Sequence, residues 1–288
     1  VPWRRRRTGY SALVSEAMLQ QTQVSRVIDP YRRFMRRFPT VKALATANEQ
    51  AVLAQWQGLG YYRRALNLHA AAQMIVRRFS GRVPSSIDVL HQLPGVGRYT
   101  AGAIASIVFK QAAPIVDGNV ERVLARLFGR YRSSAARKLN QWAWETASTL
   151  VTQAAHPGAF NEALMELGAT VCLPAPATPQ CHCCPLAQWC STKRTGRKHE
   201  APLPRTKPQA VHHHAVIVRN AKTGQVLIEQ RPATGMWAHM WQVPTIESSE
   251  SLDVPAIRRA LRLSVARIRT IGRFNHATTH RHITFHIH

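Results

Sequence analysis

Acidic side chains are scarce in this sequence. Its 288 residues include 14 Asp and Glu against 39 Lys and Arg, leaving a formal net charge of +25. Such a balance either keeps a surface in solution or meets an anionic partner, and nucleic acid is the first candidate. Long hydrophobic runs are missing too. The longest, Ala101 to Phe109, falls far short of the roughly 20 apolar residues a membrane span needs, so no membrane is expected as a partner. Cysteine is absent outside residues 172–190, which excludes a secreted scaffold stapled by dispersed disulfides. No secretory leader is expected, because the Arg-rich start runs into Ser15-Glu16 and Gln20-Gln21 rather than an apolar core. With 45% hydrophobic and 18% charged residues, neither a disordered nor a fibrous chain is expected. The chain opens without Met and stops at His288 inside a strand-like alternation, so it reads as a fragment.

Length favours two domains, and the pattern agrees. Residues 1–170 read as mostly helical, with apolar positions at three- and four-residue steps (Leu13, Ala17, Val24, Val27, Ile28) and Pro39, Pro84, Pro94 and Pro114 as punctuation. A helical domain is expected over residues 1–192, then a Pro-, Lys- and Arg-rich linker over 193–209. Residues 210–288 read as an incomplete α+β domain. There Ala215 to Val218 and Val226 to Ile228 look like strands around the turn Asn220 to Gly224, and Ile283 to His288 alternates with period two. The histidines of that end, His280, His282, His286 and His288, fit either metal binding or simple alternation along a strand.

The scarcity of acids makes the remaining ones informative. Between Val89 and Trp144 the only carboxylates are Asp117 and Glu121. Asp117, in Val116-Asp117-Gly118-Asn119-Val120, sits where a helix N-cap is wanted. A helix N-terminus stabilises a carboxylate in its charged form, and a fixed negative charge can in turn stabilise a cation. Glu16 lies in the apolar run Leu13 to Leu19. It is either a surface residue paired with an arginine or a partly buried carboxyl whose raised pKa makes it a proton donor. The turn Leu93-Pro94-Gly95-Val96-Gly97-Arg98-Tyr99-Thr100 precedes a small-residue helix from Ala101 to Phe109. It is either a plain connector or an anion-facing turn, and is too short for a P-loop.

All five cysteines, Cys172, Cys181, Cys183, Cys184 and Cys190, are close together. Soft ligands crowded in this way suit an iron–sulfur centre or a four-thiolate zinc, and spacing alone leaves both open.

Taken in order, these motifs resemble the helix-hairpin-helix DNA glycosylase superfamily, and within it the adenine-specific MutY type. The resemblance is carried by Val1-Pro2-Trp3-Arg4, Ser15 to Val24, Gly58-Leu59-Gly60-Tyr61-Tyr62, the Leu93 to Thr100 turn, the Asp117 motif, Phe160-Asn161-Glu162 and the cysteine run. It implies an all-α glycosylase domain with an iron–sulfur loop, followed by a Nudix-like domain truncated at its C-terminus. The implied activity is removal of adenine mispaired with 8-oxoguanine or guanine in duplex DNA, by a monomer placed with the nucleoid in a bacterial cytoplasm.

Glu16 then resembles the acid that protonates adenine, and Asp117 the carboxylate that stabilises the sugar cation. Tyr99 and Asn119 resemble groups that position these two. Trp3, Arg4, Leu19 and Glu162 resemble the adenine pocket, and Gln21 and Tyr61 the side chains that fill the opened duplex. Gly95 and Gly97 would hold phosphate. Cys172, Cys181, Cys184 and Cys190 would ligate a 4Fe-4S cluster, although the first gap is longer than the family's and Cys183 is extra. The related endonuclease III enzymes carry a strand-cutting Lys where Tyr99 stands, so a monofunctional enzyme is expected over a bifunctional lyase or an inactive DNA-binding module.

In the second domain, Val226 to Pro232 and Met240 to Pro244 resemble the Nudix-like part of the same family. The stretch Ala256 to Arg262 is basic where a Nudix hydrolase needs glutamates for magnesium, so binding without hydrolysis is implied. Phe274 to His280 aligns with the family's lesion-sensing loop, with Thr278 in its Phe place and Thr279 in its Ser place.

Overall fold

The computed structural model describes residues 1–5, 7–130, 136–196, 208–261, 263, 265, 267–278 and 280–288. It divides into two compact units, Val1–Pro202 and Leu203–His288.

The first unit is helical. A single 3-10 turn at Pro2–Arg4 precedes α1 (Gly9–Leu19), α2 (Val24–Arg37), α3 (Val41–Ala45), α4 (Glu49–Gln55) and α5 (Arg63–Phe79). Then come α6 (Ile87–Leu90), α7 (Arg98–Ala103), α8 (Gly118–Leu127), α9 (Ala136–Thr152), α10 (Pro157–Thr170) and α11 (Ser191–Thr195). Thr8 starts α1 through a capping box with Ser11, its hydroxyl accepting the Ser11 N–H at 3.1 Å. The helix is apolar on most sides and buries Leu13, Val14 and Met18 in the first of two cores. Phe34, Phe38 and Trp56 meet edge-to-face in that same core. The second core gathers Val120, Val123 and Leu124 of α8, Ala143, Trp144 and Ala147 of α9, and Leu164 of α10.

The glycine-rich turn joins α6 to α7. Gly95 has φ +75°, and a Cβ there would lie 2.7 Å from Cβ of Asn67, so backbone and space both demand glycine. The helix after this turn begins at Arg98, three residues earlier than the sequence suggests, and Tyr99 therefore stands inside α7. Gly97 serves as the N-cap without needing a side chain. The helix passes into a π turn at Ile104–Val108, where Ser106 Oγ donates to the Gly102 carbonyl at 2.8 Å.

The second unit holds a four-stranded sheet in the order β4-β1-β6-β5, a two-stranded β2-β3 ribbon and one helix. The strands are β1 (Gln209–Ala215), β2 (Glu229–Gln230), β3 (Trp241–Gln242), β4 (Thr245–Ser248), β5 (Gly272–Ala277) and β6 (Arg281–Ile287). The helix is α12 (Val254–Ala260), capped by Asp253. β1 runs parallel to β6, and the other pairs are antiparallel.

The expected strand at Ala215 to Val218 is displaced. The first strand instead ends at Ala215 and is built from His212, His213 and His214. Its histidines are held by a stack that no apolar pattern announces. His214 lies 4.6 Å from His286 and 5.3 Å from His288, ring centre to ring centre, nearly face to face. Val226 to Ile228 also falls short of a regular strand, with one bridge from Val226 to Arg219 before β2 begins.

The hydrogen bonds of this stack fix its protonation. The Leu252 backbone N–H can only donate, so His214 Nε2 accepts it at 3.1 Å and His214 Nδ1 carries a proton toward His288 Nε2 at 3.1 Å. His288 Nδ1 is then the donor to Thr270 Oγ1 at 3.2 Å. His212 and His286 pair at 2.9 Å. Burial first, then the neighbouring imidazoles, lower His214 to about 4, and His286 and His288 also shift downward.

A depressed histidine binds fewer protons in the folded state, so its contribution is present above pH 6.5 and lost as pH falls toward 4. His214 alone would contribute at most about 3 kcal/mol. The protection factors of the β1 and β6 amides, rates corrected for intrinsic exchange, should fall steeply as pH drops from 6.5 to 4. Protection unchanged across that window would contradict the neutral stack.

Candidate active site

Two carboxyl groups of opposite character approach one tyrosine. Asp117 caps α8: Oδ1 accepts the backbone N–H groups of Asn119 and Val120 at 2.9 and 2.8 Å, and Oδ2 accepts the Asn119 side-chain amide at 2.9 Å. Three N–H donors thus converge on Asp117 at the N-terminus of α8. Glu16 faces inward from α1 with no side-chain hydrogen-bond donor among the described residues. Burial first, and then the negative charge of Glu162, push its pKa from 4.5 up to about 7. Tyr99, from α7, lies within electrostatic reach of both. Burial raises its hydroxyl most, followed by the charges of Glu16 and Asp117, and the hydroxyl donates to Met165 Sδ at 3.1 Å.

Each group is positioned by a second layer. Arg122, one turn into α8, donates to Asn119 Oδ1 at 2.9 Å, to the Gly168 carbonyl at 2.8 Å and to the Cys172 carbonyl at 2.9 Å. On the other side Glu162 receives both terminal nitrogens of Arg7 at 2.8 Å, and Arg4 Nε at 3.2 Å. Arg4 also reaches Glu166 at 3.3 Å. The 3-10 turn and α10 are therefore joined by ion pairs beside Glu16.

Of the expected pocket residues, Arg4 and Glu162 meet directly. Trp3 packs edge-on against Tyr31 at 5.4 Å, and Leu19 lies half-buried at the end of α1 against the first core. Gln21 and Tyr61 head two separate loops, and both adopt the left-handed region, with φ of 53° and 46°. Thr279 lies outside the described residues, and Thr278 closes the turn between β5 and β6 by accepting the Arg281 N–H at 2.9 Å.

The cysteines converge. Cys172, Cys181, Cys184 and Cys190 line one pocket together with Arg126, Pro179 and Lys193. The long first gap loops out and returns, as the Gln180 N–H donates to the Val171 carbonyl at 2.9 Å. Cys183 does not line the pocket; it is exposed, with Sγ against the Gln180 carbonyl at 3.4 Å. Among the described residues no group of three or more His, Cys, Asp or Glu is close enough to share a single metal ion.

Comparison with known proteins fits this arrangement. Residues 14–148 match the HhH-GPD superfamily of base excision DNA repair proteins, and residues 214–288 match a NUDIX domain. The chain is 36% identical to the human adenine DNA glycosylase, which it matches over its whole length while covering 63% of that protein. Against the adenine DNA glycosylase of Buchnera aphidicola subsp. Schizaphis graminum identity is 33%, covering 86% of this chain and 71% of the relative. The chain belongs to the adenine DNA glycosylase family. It spans less than two thirds of the human family member's length.

Solved structures agree on the helical fold. A thermostable thymine-DNA glycosylase superposes with a TM-score of 0.60 at 29% identity, covering 67% of this chain and 88% of that one. An endonuclease III in a non-covalent DNA complex gives 0.55 at 25% identity, covering 66% and 86%. No helix among the described residues is long and apolar enough to cross a membrane.

Sequence reading of this adenine DNA glycosylase family member missed Arg7, Arg64, Arg122 and Met165. Arg122 carried a local signal, standing one helical turn after Asn119. Arg7 was hidden among consecutive arginines. The coupling between Glu162 and Glu16 is open to test, because replacing Glu162 by Gln removes the second cause of the raised pKa and frees two cations nearby. The Glu16 carboxyl should then titrate below about 7 in a carbon-labelled NMR titration. A titration point that stays put or rises would separate the two residues.

Proposed function

We propose that this chain removes adenine mispaired with 8-oxoguanine or guanine from duplex DNA, hydrolysing the glycosidic bond without cutting the strand. The observation that carries the reading is the pair of carboxyl groups, in unlike surroundings, whose charges both reach Tyr99. A carboxyl titrating at about 7 is poised to give up a proton near neutrality, whereas one fixed by three N–H donors is placed to face a developing positive charge. Glycosidic bonds are broken by this division of roles.

The adenine leaves the stack and enters a pocket formed by Trp3, Arg4, Leu19 and Glu162. Glu16 donates its proton to the purine as the bond to the sugar lengthens. Asp117 faces the developing positive charge on the sugar, and Asn119 and Tyr99 keep the two carboxyl groups in place. Glu16, now ionised, accepts a proton from the water that completes hydrolysis. Gln21 and Tyr61 fill the space left in the duplex. Gly95 and Gly97 let backbone N–H groups face a phosphate, which agrees with an N-cap that offers α7 no side-chain acceptor. The second unit reads 8-oxoguanine through Thr279. It binds without hydrolysing, since α12 presents Arg258 and Arg259 in place of acidic metal ligands. The protein acts as a monomer, and a nucleoid-associated, cytoplasmic placement follows from this substrate.

Cys172, Cys181, Cys184 and Cys190 fit a 4Fe-4S cluster better than zinc. They share one pocket, yet among the described residues no three donors close on a single ion. The cluster would tie α11 and its loop to the end of α8.

Glu16→Gln and Asp117→Asn should each lower single-turnover adenine release by about 10² to 10⁴-fold while mispair binding persists. Wild-type release should decline as pH rises through about 7, where Glu16 loses its proton. Unimpaired release in either variant would refute the assignment. Borohydride should trap no adduct, because Tyr99 has no amine to form one. Anaerobic purification should yield about four irons and four sulfides per chain, and stoichiometric zinc would overturn the cluster.

A further inference from the structure

Arg64, at the start of α5, holds two loops at once. Its Nη1 donates to the carbonyls of Ala17 at 3.0 Å, Met18 at 2.8 Å and Gln20. Its Nη2 donates to Thr22 Oγ1 at 3.1 Å and to the carbonyls of Leu59 and Gly60 at 3.2 and 3.1 Å. The first four acceptors belong to the end of α1 and the loop that carries Gln21. The last two belong to the loop that carries Tyr61. The guanidinium also lies 5.5 Å from the ring centres of both Trp56 and Tyr61. Trp56 Nε1 reinforces the second loop by donating to the Gly60 carbonyl at 3.1 Å.

Both presented residues are strained. Gln21 and Tyr61 hold left-handed backbone conformations that side chains with a Cβ rarely adopt, and both stand exposed. Such conformations persist only where the surroundings over-determine them. The carbonyl immediately before each residue, of Gln20 and of Gly60, is among those Arg64 grips. A planar fork with several donors can span two loops in this way, and a lysine ammonium cannot.

We propose that Arg64 is the positioning residue that locks Gln21 and Tyr61 into one paired wedge, serving the opening of the duplex rather than bond cleavage. This rests on the reading of Gln21 and Tyr61 as the duplex-filling side chains. Arg64 acts through them, so its loss selectively penalises substrates whose adenine must be extruded.

The test uses the full chain and two DNA substrates, one with adenine paired opposite 8-oxoguanine and one with adenine in a single-nucleotide bulge that needs little extrusion. Arg64→Lys should slow single-turnover release from the paired substrate by roughly 10- to 100-fold, the scale of a small misplacement. Release from the bulge should change by less than about threefold. The fluorescence rise of a 2-aminopurine beside the mispair, which reports unstacking on binding, should be lost. Thr22→Val removes one acceptor and leaves the guanidinium in place, so it should give a smaller selective loss even if Arg64→Lys does not fold. Equal losses on both substrates, in step with a lowered Tm, would reduce Arg64 to a structural role and overturn the proposal. So would no loss on either. Wild-type protein that releases adenine from neither substrate overturns the functional reading itself, and this inference with it.

Discussion

The constraint behind the site is that two carboxyl groups within reach of one ring must not behave alike. In water they would titrate within half a unit of each other. Here their surroundings differ. Asp117 receives three N–H groups from the first turn of its own helix. Glu16 receives none from a side chain among the described residues and faces a like charge on Glu162. Desolvation of the charged form dominates at Glu16, whereas the oxygens of Asp117 are taken up by N–H donors.

The contrast is maintained in a chain of net charge +25. An arginine-rich surface would neutralise any exposed carboxylate and would stabilise the charged form of a proton donor. Arg4 of the 3-10 turn and Arg7 after it are occupied by other carboxylates. Arg7 grips Glu162 at both terminal nitrogens, and Arg4 divides itself between Glu162 and Glu166. Glu162 thus keeps the cations engaged while its own charge still reaches Glu16. The paired cations moderate that charge, which is consistent with burial being the larger cause of the raised pKa.

What the sequence could disclose follows from the range of each interaction. Asp117 was legible because capping is local, with donors two and three residues ahead. Glu16 was legible because an acid in an apolar helical run has few places to go. The helical domain and the convergence of four cysteines were readable from pattern and spacing. Arg64 was not, because four of its acceptors lie 42 to 47 residues away and a cation on a helix ordinarily reads as a solvated face. The strand β1 was misplaced because three successive histidines carry no apolar alternation, and the stack that orders them comes from His286 of β6 and His288 after it, more than 70 residues further along. The start of α7 was misplaced because Gly97 gives no capping side chain to mark it.

A single helix relates the two carboxyl groups. At its C-terminal end α10 approaches the first turn of α8 so closely that a Cβ on Gly168 would sit 2.6 Å from Cβ of Asn119, and the Gly168 carbonyl takes one donor of Arg122. Arg122 in turn fixes the Asn119 amide against Asp117. Six residues earlier, about 9 Å up the same helix, Glu162 sets the charge that Glu16 feels. Any sliding of α10 would therefore disturb both groups together, the donors of one and the repulsion on the other. Close packing at Gly168 is best understood as registration between the anion and the acid, not only as a filled core.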